Sequence, residues 1–238
     1  MTAIVQAIRR NSAAGVQYFF WSHPEWWTVV LCAVAWLALL AHAWPITGHE
    51  LHRQMPFAKE LWHWLLMSAA MMLPFTLDRV RLTAEGSFWE RRHVAIAGFL
   101  VGYFAPWLAA GGIAASLRQV DAAHTYTAVA VTCLGAALWQ RTRIYQRAVI
   151  NCHRRRPLAP EGWAANRDCF LFGAMIGWAC VVSCWPLMLA CAFAAHGIIP
   201  LAGGLLVTAI VRRSRQPRPR LIFGLSIALS AFYAAQAI

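Results

Sequence analysis

The sequence predicts an all-α fold, a polytopic transmembrane helical bundle of seven spans with a cytoplasmic amino terminus and an extracytoplasmic carboxyl terminus. Three observations predict it. The 238 residues are 60% hydrophobic and only 13% charged, where a soluble domain carries about a quarter charged residues. The apolar residues come in long unbroken runs, which suit membrane-spanning helices. The basic residues fall in the loops between those runs and divide unequally between the two sides.

In chain order, an amphipathic amino-terminal segment, 1–25, precedes a single transmembrane domain, 26–238. The segment sets Ile4, Val5 and Ile8 against Arg9 and Arg10, as in a short interfacial helix on the cytoplasmic face. It lacks the pattern of a cleavable signal peptide, since a polar, arginine-bearing stretch comes before the first apolar run. The runs are Trp26–Trp44, Leu61–Leu77, Val94–Leu117, Ala122–Trp139, Phe170–Ala195, Ile198–Val211 and Leu221–Ile238. Most reach the roughly 20 residues that a span requires. The sixth is short and would borrow His196 and a snorkelling Arg212–Arg213 at its ends. Its alternative is a re-entrant hairpin from Trp178 to Val211.

Charge favours seven full spans. With that topology 18 of the 21 basic residues face inward, and the outer segments hold only Arg53, Lys59 and Arg118. The net charge of +12 would suggest nucleic acid in a soluble protein. Here it sets topology and meets anionic headgroups, so no nucleic-acid partner is expected. The lipid bilayer is the expected environment, with a membrane-protein partner or a second copy of the chain packed alongside. The cysteines lie in apolar runs or arginine-rich loops and imply no extracytoplasmic disulfide framework.

Two stretches carry residues with metal chemistry. Asp168 to Pro200 holds four of the seven cysteines. At about 100° per residue, Cys180 and Cys184 share a helical face and Cys191 returns near the same line. Met188 and His196 are secondary candidates beside them. In the second span Glu60, His63, Met67 and Met71 follow 3-4-4 spacing and also share one face. Thiol and thioether ligands select Cu(I), so the expected metal ligands are His63, Met67, Met71, Cys180, Cys184 and Cys191, and the expected ion is copper. Buried Cys and Met are also ordinary fillers of helix interfaces, and that reading stays open here. The pattern further predicts that the second and fifth spans pack together, with Met71 facing Cys180 or Cys184. The first outer loop adds His49 and His52, whose spacing is not that of a zinc protease.

Other features read as structural. Gly98-Phe-Leu-Val-Gly102 in the third span and Gly173 to Gly177 in the fifth are small-residue patterns for close helix contact. Pro74 is expected to kink the second span or end its regular part. Cys152, His153, Asp168 and Cys169 on the inner side are ligand types, but their spacing fits no zinc finger or ribbon. No phosphate loop, dinucleotide fingerprint or nucleophile elbow is present, which weighs against an enzyme.

Several separated motifs resemble, in order, those of a bacterial family of uncharacterised, predicted metal-binding integral membrane proteins. The first is Trp62-His63-Trp64 through Ala70-Met71-Met72-Leu73-Pro74. Cys152-His153-Arg154 with Pro157 to Pro160 follows, then Arg167-Asp168-Cys169. The last comprises Gly177 to Cys180, Ser183-Cys184-Trp185 and Leu187-Met188-Leu189. The resemblance covers about Leu61 to Ala195 and implies metal binding in a bacterial inner membrane. This chain departs from the family at Trp178 and Pro186, where many members carry small or apolar residues. Two functions follow as expectations: copper handling or delivery, and a non-catalytic accessory or assembly subunit of a larger membrane complex.

Overall fold

The longest helices are the two richest in glycine pairs, and the rest of the molecule packs around them. The structure, a computed structural model, describes residues 22–43, 56–120, 125–193, 203–206, 208–209 and 227–228. Among these residues there are seven α-helices, a further helical turn at 203–206, and no strand. They are α1 (Trp26–Ala43), α2 (Phe57–Met72), α3 (Leu77–Glu85), α4 (Arg92–Val120), α5 (Thr125–Trp139), α6 (Arg143–Cys152) and α7 (Gly162–Phe193).

The all-helical expectation therefore holds. Two apolar stretches, Trp89–Ser116 and Gly162–Phe193, are long and apolar enough to cross a membrane by length and composition. Two more, Trp26–Ala41 and Thr127–Trp139, are apolar but shorter. The segment 1–21, His49, His52, His196 and almost all of the last two apolar runs lie outside the described residues.

Two helices were not legible as apolar runs. α3 follows α2 through a 3-10 turn, Leu73–Thr76, with Pro74 in its first residues. α6 lies between the apolar runs Ala122–Trp139 and Phe170–Ala195. Its Thr142 cap accepts a hydrogen bond from the Tyr145 amide at 3.2 Å, and Tyr145, Ala148, Val149 and Cys152 form its buried face. Both are amphipathic, so hydropathy alone passes over them. Gly162 opens α7 at φ 74°, a conformation that costs glycine little.

α4 and α7 make the broadest helix contact of the fold. A Cβ on Gly102 would strike the Phe170 carbonyl, and one on Gly173 or Gly177 would strike the carbonyl of Phe99 or Tyr103. The backbones cross where neither helix has a side chain, as the paired glycine patterns led us to expect. Phe99, Tyr103, Trp107, Phe172 and Ile176 then fill the seam as fully buried side chains.

Pro74, Pro106 and Pro186 each lack the N–H that helical hydrogen bonding uses, and at Pro74 and Pro186 a tryptophan answers. Pro74 has no N–H for the Ala70 carbonyl, which instead accepts Trp36 Nε1–H from α1 at 2.9 Å. Pro186 likewise releases the Val182 carbonyl, which accepts Trp139 Nε1–H from α5 at 2.8 Å. Each indole joins two helices; the Ala70 carbonyl also accepts the Cys32 thiol at 3.5 Å, and an unsatisfied buried carbonyl would cost about 1–3 kcal/mol.

Candidate functional site

Met67, Met71 and Met72 of α2 and Cys180, Cys184, Met188 and Cys191 of α7 belong to one buried core, together with Trp64, Tyr103 and Trp107. Met67, Met71, Met72, Cys180 and Met188 are each 0% exposed. The two helices touch, as expected, but α4 lies along both and limits their direct contact to a short region.

The central contact joins Met72 and Cys180. The Cys180 thiol donates toward Met72 Sδ, with the sulfurs 3.8 Å apart. The Tyr103 hydroxyl of α4 donates to Cys180 Sγ at 3.3 Å. Three helices therefore place a thioether, a thiol and a phenol at one point. The expected pairing is that of Met71 with Cys180 or Cys184; the sulfur seen against Cys180 is that of its neighbour Met72. Met72 is the last residue of α2, where the 3-10 turn begins, and it carries the sulfur that meets Cys180. Met72 projects about 100° away from Met71 and takes the inward position.

Met71 and Cys191 both approach Gly204. Met71 Cε lies 2.7 Å, and Cys191 Sγ 3.2 Å, from the point a Cβ on Gly204 would occupy. Ala190, the residue before Cys191, packs with Cys133 of α5 in a small buried cluster. Cys184 faces elsewhere, lining a crevice with Ser183, Trp139, Gln140, Tyr145 and Thr208. Its Sγ is 3.5 Å from Ser183 Oγ.

His63 sits near the start of α2, almost fully buried, with Glu60 one turn before it. Its Nδ1–H donates to the Lys59 carbonyl at 2.8 Å, so Nε2 is the nitrogen carrying the lone pair in the neutral ring. Eight residues separate His63 from Met71, about 12 Å along the helix. Eleven separate Cys180 from Cys191, about 16 Å. The six expected ligands are thus spread through the core: His63 near the start of α2 with Met67 one turn on, Met71 and Cys191 beside Gly204, Cys180 against Met72, and Cys184 at the crevice.

Three residues escaped that reading: Met72, Tyr103 and Cys133. Met72 lies off the 3-4-4 stripe, and only the adjacent Met-Met pair hinted at it. Tyr103 follows Gly102 directly, and the small-residue pattern marked that face as a contact surface. Cys133 stands alone in its run, with no ligand at helical spacing. Among the described residues no three His, Cys, Asp or Glu side chains are grouped to hold a metal.

The buried α-helical core is lined with thioethers and thiols, side chains of the type that soft metal ions prefer. Residues 61–235, well over half of the chain, match the family described as PpoB2, copper chaperone, and the chain belongs to that family. No match was found among curated proteins or among solved structures.

Proposed function

We propose that this protein is a membrane-embedded Cu(I) chaperone that holds its ion between Met72 and Cys180. The observation that carries the reading is the 3.8 Å approach of those two sulfurs in a fully buried setting. Charge bookkeeping then selects the ion. A thioether is neutral, and a thiol that gives up its proton becomes a single negative charge. Cu(I) between them makes a neutral complex, whereas a divalent ion would leave a net positive charge in a medium of low dielectric. Thioether and thiolate are also the ligands that favour Cu(I) by softness. The ion takes the place of the thiol hydrogen that now points at Met72. The Tyr103 hydroxyl stays as a donor to the thiolate, which favours the ionised form.

His63 and Met67, with Glu60 above them, form the entry on α2. Cys184 is a further thiol one turn from Cys180, on the side of the crevice.

Membrane integration is part of the same proposal. Leu37, Val101, Ile113, Val131 and Trp178 are exposed on α1, α4, α5 and α7, as suits helices facing lipid. The inward concentration of arginine supports seven spans in a bacterial inner membrane. Copper held there is copper to be passed on, so the partner is a copper-accepting membrane protein. Exposed Trp62 and Trp163 offer anchors for such a partner or for the bilayer interface, and they favour the accessory-subunit role as a second reading.

The test is elemental analysis of the full chain purified anaerobically, with Cys180→Ser alongside. Copper near one equivalent or more in the wild type, reduced in the variant, is the expected result. A copper-free wild type after Cu(I) reconstitution would remove the proposal.

A further inference from the structure

We propose that Met71, Cys191 and Cys133 form a second Cu(I) station, separate from the Met72–Cys180 pair and covered by Gly204. This rests on the Cu(I) reading above. Met72 Sδ meets Cys180 Sγ, whereas Met71 Cε and Cys191 Sγ both lie against Gly204, and the two cysteines are about 16 Å apart along α7. One ion cannot use both methionines with both cysteines. The geometry divides the sulfur core into two places, not one.

The second place is assembled from three helices and a cover. Met71 comes from α2, Cys191 from the last turns of α7, and Cys133 from α5. Cys133 packs in a small buried cluster with Val129 and with Ala190, the residue before Cys191. All three sulfur residues are at most 2% exposed. The cover is the helical turn at 203–206. Gly204 has no side chain, and a Cβ there would intrude on Met71 Cε at 2.7 Å and Cys191 Sγ at 3.2 Å. Glycine lets backbone close over the sulfurs without displacing them.

The same charge argument applies. Cu(I) bound by Met71 Sδ and one thiolate, with the second thiol still protonated, is neutral, and the displaced proton leaves to water. No electron is transferred. The second thiol gives the ion a third sulfur. In the seven-span topology Cys191 lies toward the outer end of α7, nearer the level of His63 and Met67 than Cys180 does. The order along the path is then His63 and Met67, the Met71–Cys191–Cys133 station, and the deeper Met72–Cys180 pair. Met71 and Met72, side by side on α2, are the link between the two stations.

The experiment counts Ag(I), an air-stable stand-in for Cu(I), on the full chain in detergent by native mass spectrometry. Two ions per chain are expected for the wild type. One is expected for Cys180→Ser, one for Cys133→Ser with Cys191→Ser, and none for the three together. Should the double variant misfold, Met71→Leu conserves volume and is expected to weaken only one of the two ions, by about tenfold or more. A wild type that binds one ion, lost in Cys180→Ser and untouched by the other variants, would overturn the second station and leave the first intact. A wild type that binds none would overturn both. Two ions that persist in the Cys133→Ser, Cys191→Ser variant would also overturn the assignment.

Discussion

Met72 and Cys180 stand 108 residues apart in the chain and 3.8 Å apart at sulfur. Their meeting depends on the close crossing of α4 with α7, because Tyr103 and Cys180 come from the two sides of that seam. Gly177, one turn before the next cysteine face, lies against the Tyr103 backbone. The metal chemistry proposed for the pair is therefore tied to helix packing that can be tested without metal.

The first prediction concerns that packing. Gly173→Ala places a methyl group on the Phe99 carbonyl and is expected to destabilise the chain by about 1–3 kcal/mol. Gly135→Ala on α5 meets nothing within 4 Å and is expected to be neutral or to stabilise by up to about 1 kcal/mol. Thermal unfolding of both variants in the same detergent checks the difference. Equal midpoints would contradict the crossing.

The second concerns the proline–tryptophan pairs. Trp139→Phe removes the N–H that serves the Val182 carbonyl, and a loss of about 1–3 kcal/mol is expected. Adding Pro186→Ala restores an amide N–H for that carbonyl within α7 and should recover much of the loss. Additive effects of the two substitutions would show that the indole acts by packing alone.

Much of this was legible in the sequence. The all-helical fold, the glycine contact of α4 with α7, the break at Pro74 and the sulfur content of α2 and α7 follow from composition and helical period. The pairing of sulfurs did not. A 3-4-4 stripe identifies Met67 and Met71 as sharing a face, but it carries no information on which neighbour that face meets. α4 occupies most of the flank between α2 and α7, so the contact falls on Met72 at the helix end. Cys133 gave no local signal, because its partner is on another helix. α6 was hidden because its apolar face is narrow and its other face carries arginine.

The third prediction separates the inner cysteines from the copper path. Cys152 and Cys169 are buried on α6 and α7, and Cys169 lies about 16 Å along the helix from Cys180. A Cys152→Ser, Cys169→Ser variant is expected to bind Cu(I) as the wild type does. Loss of the ion in an otherwise folded variant would move the site to the inner side.

The fourth concerns topology. A reporter placed after Ile238 should read as extracytoplasmic, and one inserted at Gln216 as cytoplasmic. A cytoplasmic carboxyl terminus would remove the seven-span arrangement and reverse the order of the proposed stations.

The fifth follows from the proton count. Each Cu(I) held by one thiolate displaces one proton, so apparent affinity should rise about tenfold per unit of pH while the free thiol remains protonated. Competition with a Cu(I) chelator of known pH dependence, at two pH values one unit apart, measures the slope. A pH-independent affinity would mean that thioethers or histidine hold the ion without a thiolate.

The most direct test of the central claim is X-ray absorption at the copper edge of the Cu(I)-loaded full chain, comparing wild type with Met72→Leu and Cys180→Ser. The account expects a sulfur-dominated first shell in the wild type that loses sulfur in each variant, while helicity and elution are unchanged. A first shell of nitrogen or oxygen, or a sulfur shell identical in all three proteins, would contradict it.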